Sequence, residues 1–356
     1  MKTNLATWRT FFRSSPLALL LAITLLLTQR LGAATYEVGP GQTYTNLGAV
    51  PWLTLLPGDT MNIHYQPGGY HEIILLANSG LANAPITLNG VPDSVTGARP
   101  ILDGANAVTA TNTAWNSLDL NRQGVIVISR AANRPAGVIP SWIVIQNLQV
   151  QNADPAQALT QSDGALNHFD PSAAAIYADY AQHLVIRGCE LKDSGNGFFC
   201  GSKNNERNQL SADVLVERSW IHDNGLPGNF DASNLHTEAK GVIFQYNLIG
   251  PLRPGADGDQ IKDRSSGTIL RYNQVIQNTA GFAFWFLQTQ GGVGLIDADP
   301  AYRASYVYGN VFLNTPDSPC RLMFVYDTLA IQGQPHNGTL YFYNNTVVNY
   351  ADRAAR

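Results

Sequence analysis

Charge is scarce in this chain, at 13% of residues, yet Asp257, Asp259, Lys262, Asp263, Arg264 and Arg271 crowd into the segment 255–273. Two carboxylates one residue apart, followed by cations, have a chemical use. Removing the proton beside a carboxylate, the first step of β-elimination from a uronate, is slow until that carboxylate is neutralised. A guanidinium such as Arg264, or a divalent cation held by Asp257 and Asp259, stabilises the enolate-like intermediate by charge. Calcium accepts such oxygen ligands, although two carboxylates are only part of its usual six to eight or so. Lys262 is the expected base, because neighbouring cations favour a neutral amine. The same segment also reads as a solvated corner, with Asp-Gly-Asp and Gly255 forming a turn whose charges pair locally.

Other candidates stand apart from this cluster. Arg271 opens the run Arg271-Tyr272-Asn273 and is either catalytic or an outward residue pairing with a neighbouring rung. His222 and His236 are candidate substrate-binding groups, and each also fits an ordinary surface or turn histidine. Trp285 alternates with Phe284 and Phe286, so one set faces out. An outward Trp285 would be a platform for a sugar ring. Asp223 follows His222 in the same relative place as Asn152, Asp193, Asn314 and Asn349, which favours a turn role. Asn337 and Asn344 match a glycosylation pattern, but Asn344 borders an interior rung and the pattern is set aside.

The elements that must position these residues are written in a repeat. Ile143-x-Ile145-x-x-Leu148-x-Val150 recurs as Leu184-x-Ile186-x-x-Cys189-x-Leu191 and Val214-x-Val216-x-x-Ser219-x-Ile221. It continues through Val242–Ile249, Thr268–Val275, Ser305–Phe312 and Leu340–Val347, with Asn247, Asn273, Asn310 and Asn345 in the third column. Alternation on both sides of a two-residue step is a strand, a kink and a second strand. A lone Asn among apolar positions would cost about 1–3 kcal/mol if buried without partners. Stacked one above another, each amide can bond the next and the kinked backbone as well. The third-column residues lie 26 to 41 positions apart. Such irregular spacing fits the coils of a parallel β-helix with loops at its corners better than the blades of a propeller.

The ends and the composition complete the frame. Lys2, Arg9 and Arg13, the apolar run 16–27 and Leu31-Gly32-Ala33-Ala34 follow the order of a secretory signal. The run is shorter than the ~20 residues a membrane helix needs. The expectation is a signal over 1–33, a single domain over 34–356, a secreted or periplasmic location and no stable membrane insertion after cleavage. Abundant Gly and few Lys or Glu favour short strands over helices, so the chain is expected to be all-β. A net charge of −4 gives no footprint for nucleic acid, and a monomer is expected. Cys189, Cys200 and Cys320 cannot form a full disulfide framework, and buried thiols are expected. A short capping helix is expected near Pro51, within Tyr44–Leu56. No capping element follows Val347, so the last coil is expected to expose its edge, as a truncated product would.

Gly58-Asp59-Thr60-Met61-Asn62-Ile63, Gly68-Gly69-Tyr70, Ala84-Pro85-Ile86-Thr87-Leu88 and Pro100-Ile101-Leu102-Asp103-Gly104 occur in that order after the export signal. The order resembles the opening coils of the pectate-lyase-like right-handed β-helix superfamily. Its members are mostly secreted enzymes acting on polysaccharides. Locally, Asp257-Gly258-Asp259 and Arg271-Tyr272-Asn273 resemble the alginate lyase and dermatan-sulfate lyase family. The resemblance implies calcium on the acid pair and a base five residues later, where Arg264 stands, with Lys262 two residues before it. That family's second catalytic arginine would fall near Trp285, and none is present within 281–286. The reading that follows is a calcium-assisted lyase on an acidic polysaccharide. A non-catalytic carbohydrate-binding module is the alternative. A paired-carboxylate hydrolase is third, since the polygalacturonase motifs are missing.

Overall fold

The structure is a computed structural model that describes residues 32–203, 209–316, 318–319, 321–325 and 338–350. Residues 1–31 of the expected signal, Cys320 and Asn337 lie outside the described residues. One compact unit begins at Ala34.

β-branched and aliphatic residues at alternate positions give short strands that wind into a right-handed parallel β-helix of three sheets. The first sheet, of ten strands, runs from Thr35–Val38 to Thr339–Tyr343. The second, of eight, runs from Ile101–Asp103 to Thr346–Asn349. The third has eleven and includes Ala174–Ala178, Asn196–Cys200, Leu235–Thr237, Ile261–Asp263 and Phe284–Phe286. Among the described strands the pairing is parallel, apart from Ala158–Thr160 against Leu166–His168. The inward positions Ile143, Ile145, Leu184, Ile186, Val214, Val216, Val242, Phe244, Leu270 and Val307 are buried in a core that runs along the axis.

The corner between the first and second sheets is the two-residue step of the repeat. The residue before the third column takes a left-handed backbone, with φ of 60° at Asn147 and Gly188, 52° at Arg218, 57° at Tyr246 and 58° at Tyr272. The stacked column holds that bend. Asn273 Oδ1 accepts from the Asn247 backbone N–H at 2.9 Å and from its side-chain amide at 3.0 Å. Asn310 repeats this toward Asn273, and Asn345 toward Asn310. Each Nδ2 also donates to an inner carbonyl of the coil before, such as Asn273 to Phe244 O at 2.9 Å. Ser219 and Cys189 continue the column as expected, with Ser219 N–H donating to Asn247 Oδ1 and Cys189 N–H to Ser219 Oγ.

The expected N-terminal cap takes a tighter form. Two 3₁₀ turns, Leu47–Ala49 and Trp52–Thr54, close the first coil, and Val50 and Pro51 separate them. Proline offers no N–H to carry a helix across that point. Trp52 is buried there, its indole N–H donating to Leu47 O at 2.8 Å. Cys189 and Cys200 are buried free thiols. In the last described coil, Phe342 and Val347 are each 40% exposed.

Candidate functional site

Ile261–Asp263 lies in the third sheet between Leu235–Thr237 and Phe284–Phe286. Strand alternation turns Ile261 and Asp263 inward and leaves Lys262 and Arg264 on the outer side. An inward aspartate needs partners, and it has them. Asp263 accepts from Thr237 Oγ1 at 2.8 Å, from Thr268 Oγ1 at 2.6 Å and from Ser265 N–H at 3.2 Å.

Register builds the outer face. Tyr177, Phe199, His236, Lys262 and Trp285 occupy equivalent positions on five successive strands. Asp179, Glu238 and Arg264 lie two residues further along their strands, on the same side. Tyr177, Asp179, Phe199, Lys203, His236, Glu238 and Arg264 line a cleft of about 300 Å³.

Aromatic rings form one part of its wall. Tyr177 stacks on Phe199 at 4.7 Å, and Phe199 meets the His236 ring edge-on at 5.1 Å. Burial, with Asp179 close by, pushes the Tyr177 phenol well above its ordinary pKa, so it holds its proton.

His236 is the histidine of the cleft that is held neutral. Burial, then the charges of Lys262 and Arg264, lower it to about 3. The imidazole is therefore neutral across the working pH range. Its Nδ1 lies 3.4 Å from Asp231 O. A carbonyl can only accept, so this contact is made with the proton on Nδ1, leaving Nε2 as the lone-pair nitrogen.

Lys262 and Arg264 play different parts from those expected. The Lys262 ammonium is engaged by Asp231 Oδ1 and by Phe230 O at 3.3 Å, and it sits 5.1 Å from the centre of the Trp285 ring. Burial raises Asp231, but its hydrogen bond to Lys262 and that cation's charge win and hold it below the usual carboxylate range. A lysine so held is a poor base. Trp285 supports Lys262 through its ring, and the lining of the cleft does not include it. Arg264 does line the cleft, and its Nη1 donates to Gln288 O at 2.7 Å.

Glu238 explains how that part of the wall is fixed. Its Oε1 accepts from Thr289 Oγ1 and from the backbone N–H groups of Gln290, Gly291 and Gly292, at 2.6, 2.8 and 3.0 Å. Successive backbone N–H groups form an anion-binding nest, here filled by the chain's own carboxylate. Asp179 is also engaged, accepting from Lys203 Nζ at 2.6 Å and Ser129 Oγ at 3.1 Å.

The fold separates the remaining candidates from the cleft. Arg271 is on the first sheet and donates to Gln245 Oε1 at 2.8 Å and Tyr308 OH at 3.1 Å. His222 is on the second sheet, between Asp223 at 2.6 Å and Glu190 at 3.4 Å, with Trp220 stacked on it at 3.7 Å. Asp223 takes the turn role, with φ of 52° beside Asn152 at 63° and Asp193 at 51°.

Asp257 and Asp259 serve the backbone. Asp257 Oδ2 accepts from Gly228 N–H at 2.6 Å, and Asp259 Oδ1 from Phe282 N–H at 2.7 Å. Burial pushes Asp259 up to about 7, although the Phe282 N–H and Lys262 pull it down. Among the described residues no group of three or more His, Cys, Asp or Glu is arranged to hold a metal ion.

Tyr177, Asp179, Phe199, Lys203 and Asp231 escaped the sequence reading. The available signal was the strand pattern Ala174–Ala178 and Asn196–Cys200, whose fourth residues, Tyr177 and Phe199, are the outward aromatics.

A scan against protein-family models and a search of curated proteins found no match. Solved structures do resemble the chain. Pectin methylesterase PemA from Erwinia chrysanthemi superposes with a TM-score of 0.51 at 12% identity, covering 91% of this chain and 92% of that one. An alginate lyase from Paenibacillus sp. str. FPU-7 gives 0.45 at 14% identity over 83% and 94%. A carrot pectin methylesterase gives 0.47 at 10% identity over 92% and 86%. Among the described residues no helix is long and apolar enough to cross a membrane. The fold is a right-handed parallel β-helix, similar to that of pectin methylesterase PemA.

Proposed function

We propose that the chain is a secreted carbohydrate-active enzyme whose third-sheet cleft cleaves an acidic, uronate-containing polysaccharide by β-elimination. The observation that carries this reading is the cleft itself, where the His236 imidazole, the Arg264 guanidinium and the Tyr177 phenol line one space. Arg264 would pair with the substrate carboxylate and stabilise the enolate as charge develops. His236 Nε2 would take the proton from the carbon next to that carboxylate. The electron pair then forms the double bond as the glycosidic oxygen leaves the β carbon. Tyr177 would give that oxygen a proton, so the two proton transfers balance. Phe199 and Tyr177 offer an apolar surface beside the sugar ring. Pectin methylesterase PemA, which superposes with a TM-score of 0.51, is named for pectin, an acidic polysaccharide, and this agrees in class with the reading. The paired-carboxylate hydrolase is disfavoured, because Glu238 is committed to four donors.

The test incubates the chain lacking residues 1–33 with alginate, pectate and glycosaminoglycans and follows ultraviolet absorbance of unsaturated ends. Activity on one of them is expected. Arg264→Gln should lower kcat/KM by about 10²–10³, the scale of one lost transition-state donor. Saturated reducing ends in place of unsaturated ones would replace the lyase reading with a hydrolase.

A further inference from the structure

Outside the cleft, one surface combines exposure, charge and backbone strain. It runs along the corner between the first and second sheets. Tyr246 is 52% exposed, Tyr272 47% and Tyr343 46%. The rings of Tyr246 and Tyr272 stack at 5.3 Å, Tyr272 meets Tyr308 edge-on at 5.6 Å, and Tyr308 stacks on Tyr343 at 5.0 Å. Arg218 closes one end, 6.0 Å from the centre of Tyr246. Arg271 is threaded into the row through its bond to Tyr308 OH.

The backbone at these positions favours smaller residues. Arg218, Tyr246 and Tyr272 occupy the left-handed kink position, where the equivalent residues of other coils are Asn147, Gly188, Gly309 and Asn344. A bulky side chain is costly in that conformation, while Asn and Gly adopt it readily. Three successive coils therefore carry large side chains where the backbone favours small ones. Strain retained in this way is a mark of function.

We infer that this arginine–tyrosine row is a second, non-catalytic binding surface for an extended acidic polysaccharide. The rings stack on one another, so their hydroxyls and edges, with the guanidinium groups, are what they offer to a ligand. Those groups suit the hydroxyls and carboxylates of a uronate chain. Coils rise by about 4.8 Å, close to the length of one pyranose unit, so a site that repeats along the solenoid fits a ligand that repeats too. The guanidinium groups of Arg218 and Arg271 match an anionic polymer rather than a neutral one. The row would hold a long chain along this corner while the third-sheet cleft acts on it. The inference shares its ligand class with the proposed function but stands on different residues.

The test is affinity electrophoresis of the chain lacking residues 1–33 through gels containing alginate, pectate or chondroitin sulfate, with neutral dextran as control. The variant Tyr246→Asn/Tyr272→Asn puts at these kinks the residue that other coils already use, so its melting temperature should hold or rise. Its retention by the acidic polymer should weaken by about tenfold or more, a modest part of what joining two sites on one chain adds. Adding Arg218→Asn should weaken it further, while turnover of short uronate oligomers stays unchanged. Wild-type retention in the variant overturns the inference, as does equal retention by dextran or none by any acidic polymer. Retention lost in Arg264→Gln but kept in the tyrosine variant also overturns it and leaves the cleft reading standing. Retention lost only in the tyrosine variant, with no unsaturated ends from any polymer, supports the row and removes the lyase. A wild-type dimer that the tyrosine variant dissolves, without polymer retention, would assign the row to a second copy instead.

Discussion

The stacked corner and the third-sheet cleft both line up polar side chains along the same axis, and they do it in opposite ways. At the corner each coil repeats one residue in one geometry, Asn247 to Asn273 to Asn310 to Asn345. In the cleft the equivalent positions change at every step, from Tyr177 to Phe199, His236, Lys262 and Trp285. Repetition lets each buried amide satisfy the next, which stabilises a fold. Variation places unlike groups side by side, which chemistry requires. Within a solenoid, then, the column that stops repeating is the one to examine for function.

Breaking the repeat should have the largest effect on stability. Asn273→Leu removes the acceptor of the Asn247 backbone N–H and side-chain amide. About 1–3 kcal/mol for each orphaned buried group predicts a loss of ~3 kcal/mol or more, read from urea unfolding. A loss under about 1 kcal/mol would mean that the column follows the fold instead of holding it.

Breaking the cleft wall should cost less. Glu238→Gln sets an amide –NH₂ against donors that now face a carboxylate, for a loss of ~1–2 kcal/mol. Hydrogen exchange at Gln290, Gly291 and Gly292 should speed up more than exchange at the Asn247 amide. Equal acceleration at both would erase the contrast between latch and ladder.

The pH dependence sharpens the comparison further, because the ladder does not titrate. Unfolded, His236 has a pKa of about 6.5, and folded it lies at about 3. Between those values the unfolded chain binds more protons, so this contribution is complete above about pH 6.5 and declines as pH falls. Unfolding measured at pH 7 and pH 5 should show a smaller drop for His236→Asn than for wild type. An identical slope in both proteins would remove the neutral imidazole from the argument. The smallest effect is expected at Asp257→Asn, which keeps an acceptor for Gly228 N–H. Stability should stay within about 0.5 kcal/mol, and activity measured with EDTA or with added calcium should not differ between the two proteins.

The sequence by itself determined the solenoid, the corner ladder down to Ser219 and Cys189, and the shared side of Lys262 and Arg264. Those features depend on local alternation or on a pattern written once per coil, and both survive in one dimension. The third sheet was not legible in the same way. The intervals from Cys189 to Phe198, Ser219 to Leu235, Asn247 to Ile261 and Asn273 to Phe284 all differ, because loops of unequal length enter that sheet. Only the folded register could align Tyr177, Phe199 and His236 with Lys262, or bring Glu238 onto residues 289–292. Tertiary structure likewise separated Arg271 and His222 from the cluster, although Arg271 is close to it in sequence. One turn of the coil carries neighbouring residues to different faces, while residues several coils apart come into contact.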